Sequence, residues 1–229
     1  MAVGACTSNQ TPDDCKPSAN DRIAVVGIVG SLREESLTRK AVEQALKGAA
    51  STNCHVELID LAQYDLYFCD GLDYQSANFK KHANSGVKQL REKLQGAKGI
   101  ILGTPEYHNS FSGVLKNALD LTGFAEFEGK VVGLVAVSGG AMGGLQALQG
   151  LRDICRALHA WVVPAQAGVA KAWEAIDMPE SQKRLQNVGK QVAIYASLLN
   201  NKRALEFIEL LEKGVENPGG TSADHKDHI

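Results

Sequence analysis

Three short stretches of the chain carry residue types and spacings from which a ligand site can be built. The first, GIVGSLREESLTR over residues 27–39, combines glycine, the hydroxyls of Ser31, Ser36 and Thr38, and the guanidinium groups of Arg33 and Arg39. If it joins a strand to a helix, the backbone N–H groups of the helix start would add to these donors and bind a phosphate dianion. The plainer reading is a helix-capping serine with solvated arginines. The second stretch, TPEYHNSFSG over 104–113, places Pro105, Glu106, Tyr107, His108 and Asn109 in succession. Backbone amides and aromatic edges of this kind suit a planar heterocycle, although Phe111 tucking into a core beneath a polar loop would account for it equally well. The third, SGGAMGG over 138–144, has four glycines in seven residues. It is either a flexible turn or a place where backbone comes close to a ligand.

These stretches matter only if the fold brings them together. Arg22–Ile28, Gly99–Gly103 and Lys130–Val137 are continuous apolar runs of the kind that form strands buried on both faces, while His55–Leu61 and Trp161–Gly168 read as two more strands. Between them, helical spacing of apolar residues predicts helices over Thr38–Ala50, Phe79–Gln95, Gly113–Leu121, Leu145–Leu158 and Pro179–Asn200, with a last one over Ala204–Leu211. Five strands alternating with helices predict an α/β protein: a doubly wound, five-stranded parallel sheet of order 2-1-3-4-5 with helices on both faces. The binding crevice of such a sheet lies at the carboxyl ends of strands 1 and 3, where the winding reverses. All three stretches follow strands at that end. A phosphate cradle beside two loops suited to a flat ring describes a mononucleotide site, and a redox flavin fits it best.

Composition narrows the alternatives. The chain has 229 residues, 44% hydrophobic and 22% charged, with a net charge of −2. That length suits one domain over 21–213, with extensions at 1–20 and 214–229 rich in polar residues, glycine and proline that read as disordered. A near-neutral core gives no reason to expect nucleic acid as a partner. No apolar run is long enough for a helix to span a bilayer. The five cysteines, Cys6, Cys15, Cys54, Cys69 and Cys155, have no metal-ligand spacing, and no metal site is expected. With no secretory or transit signal in the sequence, a cytoplasmic location is expected.

The two longer stretches, GSLREESLTRKAV (30–42) and TPEYHNSFSGVLKNALDL (104–121), resemble the signatures of the NADPH-dependent FMN reductase family, the flavodoxin-like quinone, chromate and azo-dye reductases; SGGAMGG supports the match. The resemblance implies a flavodoxin-like fold holding non-covalent FMN, with NADPH as electron donor. It also implies roles for individual residues. Ser31, Arg33, Ser36 and Thr38 would hold the phosphate, and Pro105, Glu106, Tyr107, His108, Ser138, Gly139 and Gly140 would contact the isoalloxazine ring. Asparagine is usual where Thr38 and His108 stand, and phenylalanine is common at Leu37. Thr38 keeps a hydroxyl donor, and His108 is expected to contribute through its backbone.

The implied activity is a ping-pong oxidoreductase, with no obligatory side-chain acid or base. NADPH would reduce the flavin, and a small acceptor (quinone, free flavin, azo dye or metal oxyanion) would then take two electrons. The alternative is a flavodoxin-like electron carrier or redox sensor without NADPH turnover. Family members are commonly dimers or tetramers, so a homo-oligomer is expected. No definite site for a cofactor 2′-phosphate stands out in the sequence; Arg39 or Lys40 could serve, although solvated side chains account for both more simply. Trp161 and Trp173, flanking the last strand, read as packing residues.

Overall fold

The computed structural model describes residues 22–71 and 85–200. In chain order these form β1 (Ala24–Val29), α1 (Leu37–Ala50), β2 (His55–Asp60), a single 3-10 turn (Leu61–Gln63), α2 (Ser85–Gly96), β3 (Gly99–Tyr107), β4 (Ser110–Phe111), α3 (Gly113–Asp120), α4 (Phe124–Phe127), β5 (Val131–Val137), α5 (Leu145–Ala157), β6 (Trp161–Val169), α6 (Ala172–Ala175) and α7 (Pro179–Leu199). The expected terminal extensions, the helix over Ala204–Leu211 and the first six residues of the helix expected from Phe79 lie outside the described residues. No helix among the described residues is long and apolar enough to cross a membrane.

The parallel strands run in the order β2-β1-β3-β5-β6, and β4 pairs antiparallel with the end of β3. All seven residues of β5 are buried, as its unbroken VVGLVAV requires. Alternate residues feed two apolar layers. Val25, Val29, Val131 and Val135 pack with Ala41, Ala45, Val188 and Val192 of α1 and α7. Val26, Ile28, Val132 and Leu134 pack with Leu90, Leu94, Leu115 and Leu151 of α2, α3 and α5. On the first face α1 and α7 touch backbone to backbone at Gly189, where a Cβ would stand 1.7 Å from the carbonyl oxygen of Ala45.

The strand count departs from the sequence expectation of five strands in the order 2-1-3-4-5. There are six, because β3 does not stop at Gly103 but continues to Tyr107 and folds back as a hairpin. His108 and Asn109 form its turn with φ of 51° and 60°, and Glu106 and Tyr107 pair with Phe111 and Ser110. Two successive left-handed residues give the turn that matches the twist of paired strands. Asparagine and histidine tolerate that conformation better than most side chains, so the turn forms without glycine.

The β6 edge is closed by side chains. Pro164 carries no N–H, Ala165 N donates to Gln191 Oε1 (3.1 Å), and the Arg152 guanidinium donates to the carbonyls of Val163 and Pro164 and to Gln166 Oε1. The register to β5 shifts at this point, opposite Val132 to Leu134.

Beneath α2 lies a buried polar group. Glu126, wholly inaccessible, accepts from Arg91 Nε (3.0 Å), Gln95 Nε2 (2.6 Å) and Gly123 N (2.8 Å). Lys130 Nζ donates to the carbonyls of Leu94 and Gln95 at the end of the same helix, a favourable place for a cation. Burial nonetheless pushes the Lys130 ammonium down from 10.5 to about 8, assisted by the charge of Lys98 and opposed by Glu126. Because the folded pKa is the lower one, the unfolded chain holds this proton more tightly. The resulting stability is fully present above pH 10.5 and lost as pH falls through 8. Relative to Lys130→Met, wild-type stability should therefore rise by about 3 kcal/mol between those pH values. Burial pushes the Cys155 thiol up to about 12 and acts in the opposite sense, but it is common to both proteins and cancels. Urea unfolding of the pair at pH 7.5 and 10.5 measures the difference; a difference that stays flat would contradict it.

Candidate functional site

Neighbouring strands β1 and β3 send the chain to opposite sides of the sheet, which leaves a crevice at their carboxyl ends. One cleft of about 500 Å³, counting its open mouth, occupies that position. Ser31, Arg33, Ser36 and Thr38 line it from the loop after β1. Pro105, Glu106 and Tyr107 line it from the end of β3, and Ser138 and Gly139 from the loop after β5. His108 and Gly140 are not among the lining residues. His108 occupies the exposed hairpin turn, and the carbonyl of Gly140 accepts from Ser138 Oγ (3.1 Å) and Lys171 N (3.1 Å).

At the α1 end the cleft is a set of donors. The hydroxyls of Ser31 and Ser36 accept from the backbone N–H groups of Arg33 (3.3 Å) and Arg39 (3.2 Å). Each hydroxyl therefore keeps its own hydrogen to donate. Ser36 is the N-cap of α1, so the N–H groups of Leu37 and Thr38 have no carbonyl within the helix to reach. With the Arg33 guanidinium they form a positive, donor-rich end. Arg39 and Lys40 are committed elsewhere: Arg39 forms an ion pair with the buried Asp60, and Lys40 Nζ lies 3.0 Å from Asp177 Oδ2.

One hydroxyl and one backbone hydrogen bond hold the first two loops together, and a second hydroxyl, that of Thr104, closes the second loop on itself. Ser112 Oγ donates to the carbonyl of Gly30 (2.6 Å) and accepts from Leu115 N (3.1 Å) as the N-cap of α3. Ser112 N donates to Thr104 Oγ1 (2.9 Å), and Gly30 N to the carbonyl of Gly103 (2.8 Å). Ser112→Ala removes a cap and leaves a buried carbonyl unpaired, an expected loss of about 2 kcal/mol. A urea midpoint equal to wild type would show that this brace carries no stability.

The rest of the cleft lining is largely apolar and aromatic: Pro105, Tyr107, Val137, Ala172 and Trp173, with the side chain of Leu37. Glu106 has a second engagement. Its carboxylate accepts from Ala147 N (3.3 Å) in the first turn of α5, whose N-cap Gly144 has no side chain to offer. The acid thus stabilises the positive end of that helix while facing the cleft. Trp173 departs from the packing role expected of it: it lines the cleft and is 66% exposed. Its local sequence carried no signal. Its place just beyond the carboxyl end of β6, on the same side as the other loops, was the available clue. Among the described residues no three His, Cys, Asp or Glu side chains gather as a metal ion would need.

The chain is similar to several known proteins. Residues 23–174 match the family model for NADPH-dependent FMN reductases. An NADPH azoreductase of Bacillus sp. (strain OY1-2) is 39% identical over 110 residues, covering 48% of this chain and 58% of that protein, so the match spans less than two thirds of its length. An FMN-dependent NADPH-azoreductase of Staphylococcus aureus (strain USA300) is 36% identical over 140 residues, covering 61% of this chain and 72% of the other. Among solved structures, the flavoenzyme NAD(P)H:(acceptor) oxidoreductase of Paracoccus denitrificans superposes with a TM-score of 0.60 at 20% identity, over 77% of this chain and 98% of that one. A flavodoxin from the domain Archaea does so with a TM-score of 0.53 at 15% identity, over 76% and 97%. The architecture is therefore flavodoxin-like.

Proposed function

The chain belongs to the NADPH-dependent FMN reductase family, a family of flavin-dependent oxidoreductases, and on that premise we propose that it carries two electrons from NADPH to a quinone or similar small acceptor, donor and acceptor using the cleft in turn. The observation that carries the reading is a single cleft whose lining joins hydroxyls, Arg33 and a helix start to aromatic and apolar walls. This lining fits FMN, whose phosphate needs the donors and whose ring system needs the apolar and aromatic walls. Ser31, Arg33, Ser36 and Thr38 hold the phosphate; Pro105, Glu106, Tyr107, Ser138 and Gly139 border the ring. When bound, FMN supplies the two-electron relay between donor and acceptor. With a quinone the balance is NADPH, a proton and quinone giving NADP⁺ and hydroquinone. An azo dye is the other acceptor class, because two relatives bear that name.

The chain's own residues position and shield rather than transfer protons. Ser112 and Gly30 fix the two loops against each other, Thr104 steadies Ser112, and the capping of α5 fixes Glu106. His108 serves the hairpin turn, whose left-handed backbone sets its side chain in solvent. We place the protein in the cytosol, a reading supported by the free thiols of Cys54, Cys69 and Cys155, and as a homodimer or homotetramer.

The purified protein, kept free of oxygen, tests this directly. Yellow absorption that bleaches on adding NADPH and returns with benzoquinone is the expected result. Absorption that persists under NADPH and bleaches only with dithionite would identify an electron carrier or sensor instead.

A further inference from the structure

We propose that Trp173 is the wall on which the electron acceptor stacks, so that this reductase prefers flat aromatic acceptors to compact non-aromatic ones. The inference rests on the reductase reading above. Trp173 belongs to the four-residue α6, directly after β6. It is 66% exposed, yet its backbone is fixed. Lys171, with a left-handed φ of 44°, donates to the carbonyl of Gly140 (3.1 Å), and Ala172 N donates to that of Ser138 (3.0 Å). The indole ring lies against Gly139, where a Cβ would stand 2.5 Å from Cη2. Gly139 thus lets the ring sit in the wall of the cleft.

A packing role does not account for this arrangement. A buried tryptophan contributes stability through the area it removes from water, whereas this residue keeps 66% of its surface accessible on the cleft. A rigid, exposed aromatic surface bordering a cleft is instead a ready stacking platform, because little conformational freedom is lost when a ligand covers it. Tyr107, 49% exposed, borders the same cleft from the end of β3 and adds a second aromatic wall. Flat rings gain contact with such walls; a compact inorganic acceptor gains none.

The holoprotein and its Trp173→Ala and Trp173→Phe variants test the proposal with two acceptors, 2-methyl-1,4-naphthoquinone and ferricyanide. In Trp173→Ala the ratio of kcat/KM for the quinone to that for ferricyanide should fall about tenfold, through KM for the quinone. Trp173→Phe should recover most of the ratio, which loss of structure alone would not do. A second measurement needs no turnover. Trp161, at the opposite end of β6, is the only other tryptophan, so in Trp161→Phe holoprotein the emission reports Trp173. Titration with the naphthoquinone, without NADPH, should quench it saturably. An unchanged acceptor ratio in Trp173→Ala, or quenching that rises linearly without saturation, would overturn the proposal. Absence of FMN or of NADPH oxidation in the wild type would overturn the reductase reading instead, and the quenching would still decide whether Trp173 binds a flat ring.

Discussion

Ser36→Asp should fold as stably as the wild type and emerge from purification without FMN. Aspartate caps a helix as well as serine does and suits the positive end of α1, so the Arg39 N–H keeps its acceptor and the fold has no reason to weaken. The ligand fares differently. A carboxylate about 5 Å from a phosphate, at an effective dielectric constant of about 20, costs about 3 kcal/mol for each pair of unit charges, more than a hundredfold in affinity. Losing the hydroxyl alone, as in Ser36→Ala, removes one hydrogen bond of about 1 kcal/mol and weakens the cap as well. Charge therefore dominates. Ser36→Asn keeps the cap without the charge and should retain FMN. Flavin fluorescence on titrating the apoproteins gives the three affinities. If Ser36→Asp binds as tightly as wild type, the phosphate does not lie at the start of α1.

Gly189→Ala should lose stability, although alanine is the better helix residue by about 1 kcal/mol. The added methyl would stand 1.7 Å from Ala45 O and 2.9 Å from Ala49 N. Both are backbone atoms of α1, so no side chain can rotate away and the two helices must separate. Separation disturbs the apolar layer in which Val188 and Val192 of α7 meet Ala41 and Ala45 of α1. Overpacking of this kind costs about 3 kcal/mol or more, and the net loss should lower Tm by several degrees. Asn187→Ala, on the exposed side of α7, receives a somewhat smaller propensity gain, about 0.7 kcal/mol at most, without the clash and should be slightly stabilising. A Gly189→Ala protein as stable as Asn187→Ala would show that α1 and α7 part at no cost.

The sequence made the centre of the sheet legible because β1, β3 and β5 are buried on both faces and so read as unbroken apolar runs such as VVGLVAV. Given a doubly wound sheet, the position of the crevice followed from the reversal of winding, and the loops after β1, β3 and β5 do meet there. The hairpin was hidden because its turn is His108-Asn109, with no glycine to mark two left-handed residues. The second engagement of Glu106 was hidden because its partner, Ala147 N, lies 41 residues away across the sheet. Trp173 was misread for a related reason. The loop after β6 has no unusual composition, and only the three-dimensional approach of 171–173 to 138–140 brings the ring to the cleft. Local pattern reveals what each element buries; it does not reveal which distant loops an element's end will touch.

The closed edge of β6 bears on how copies of this protein can meet. A strand from a second molecule arriving beside residues 163–166 would find no amide at Pro164, the amide of Ala165 already held by Gln191, and two carbonyls held by Arg152. Extension of the sheet from one molecule to the next, the first step towards fibrils, is blocked along this stretch. Crowding should therefore favour neither ribbons nor gels seeded from it, and any subunit contact along this stretch has to be made by side chains rather than by sheet hydrogen bonds.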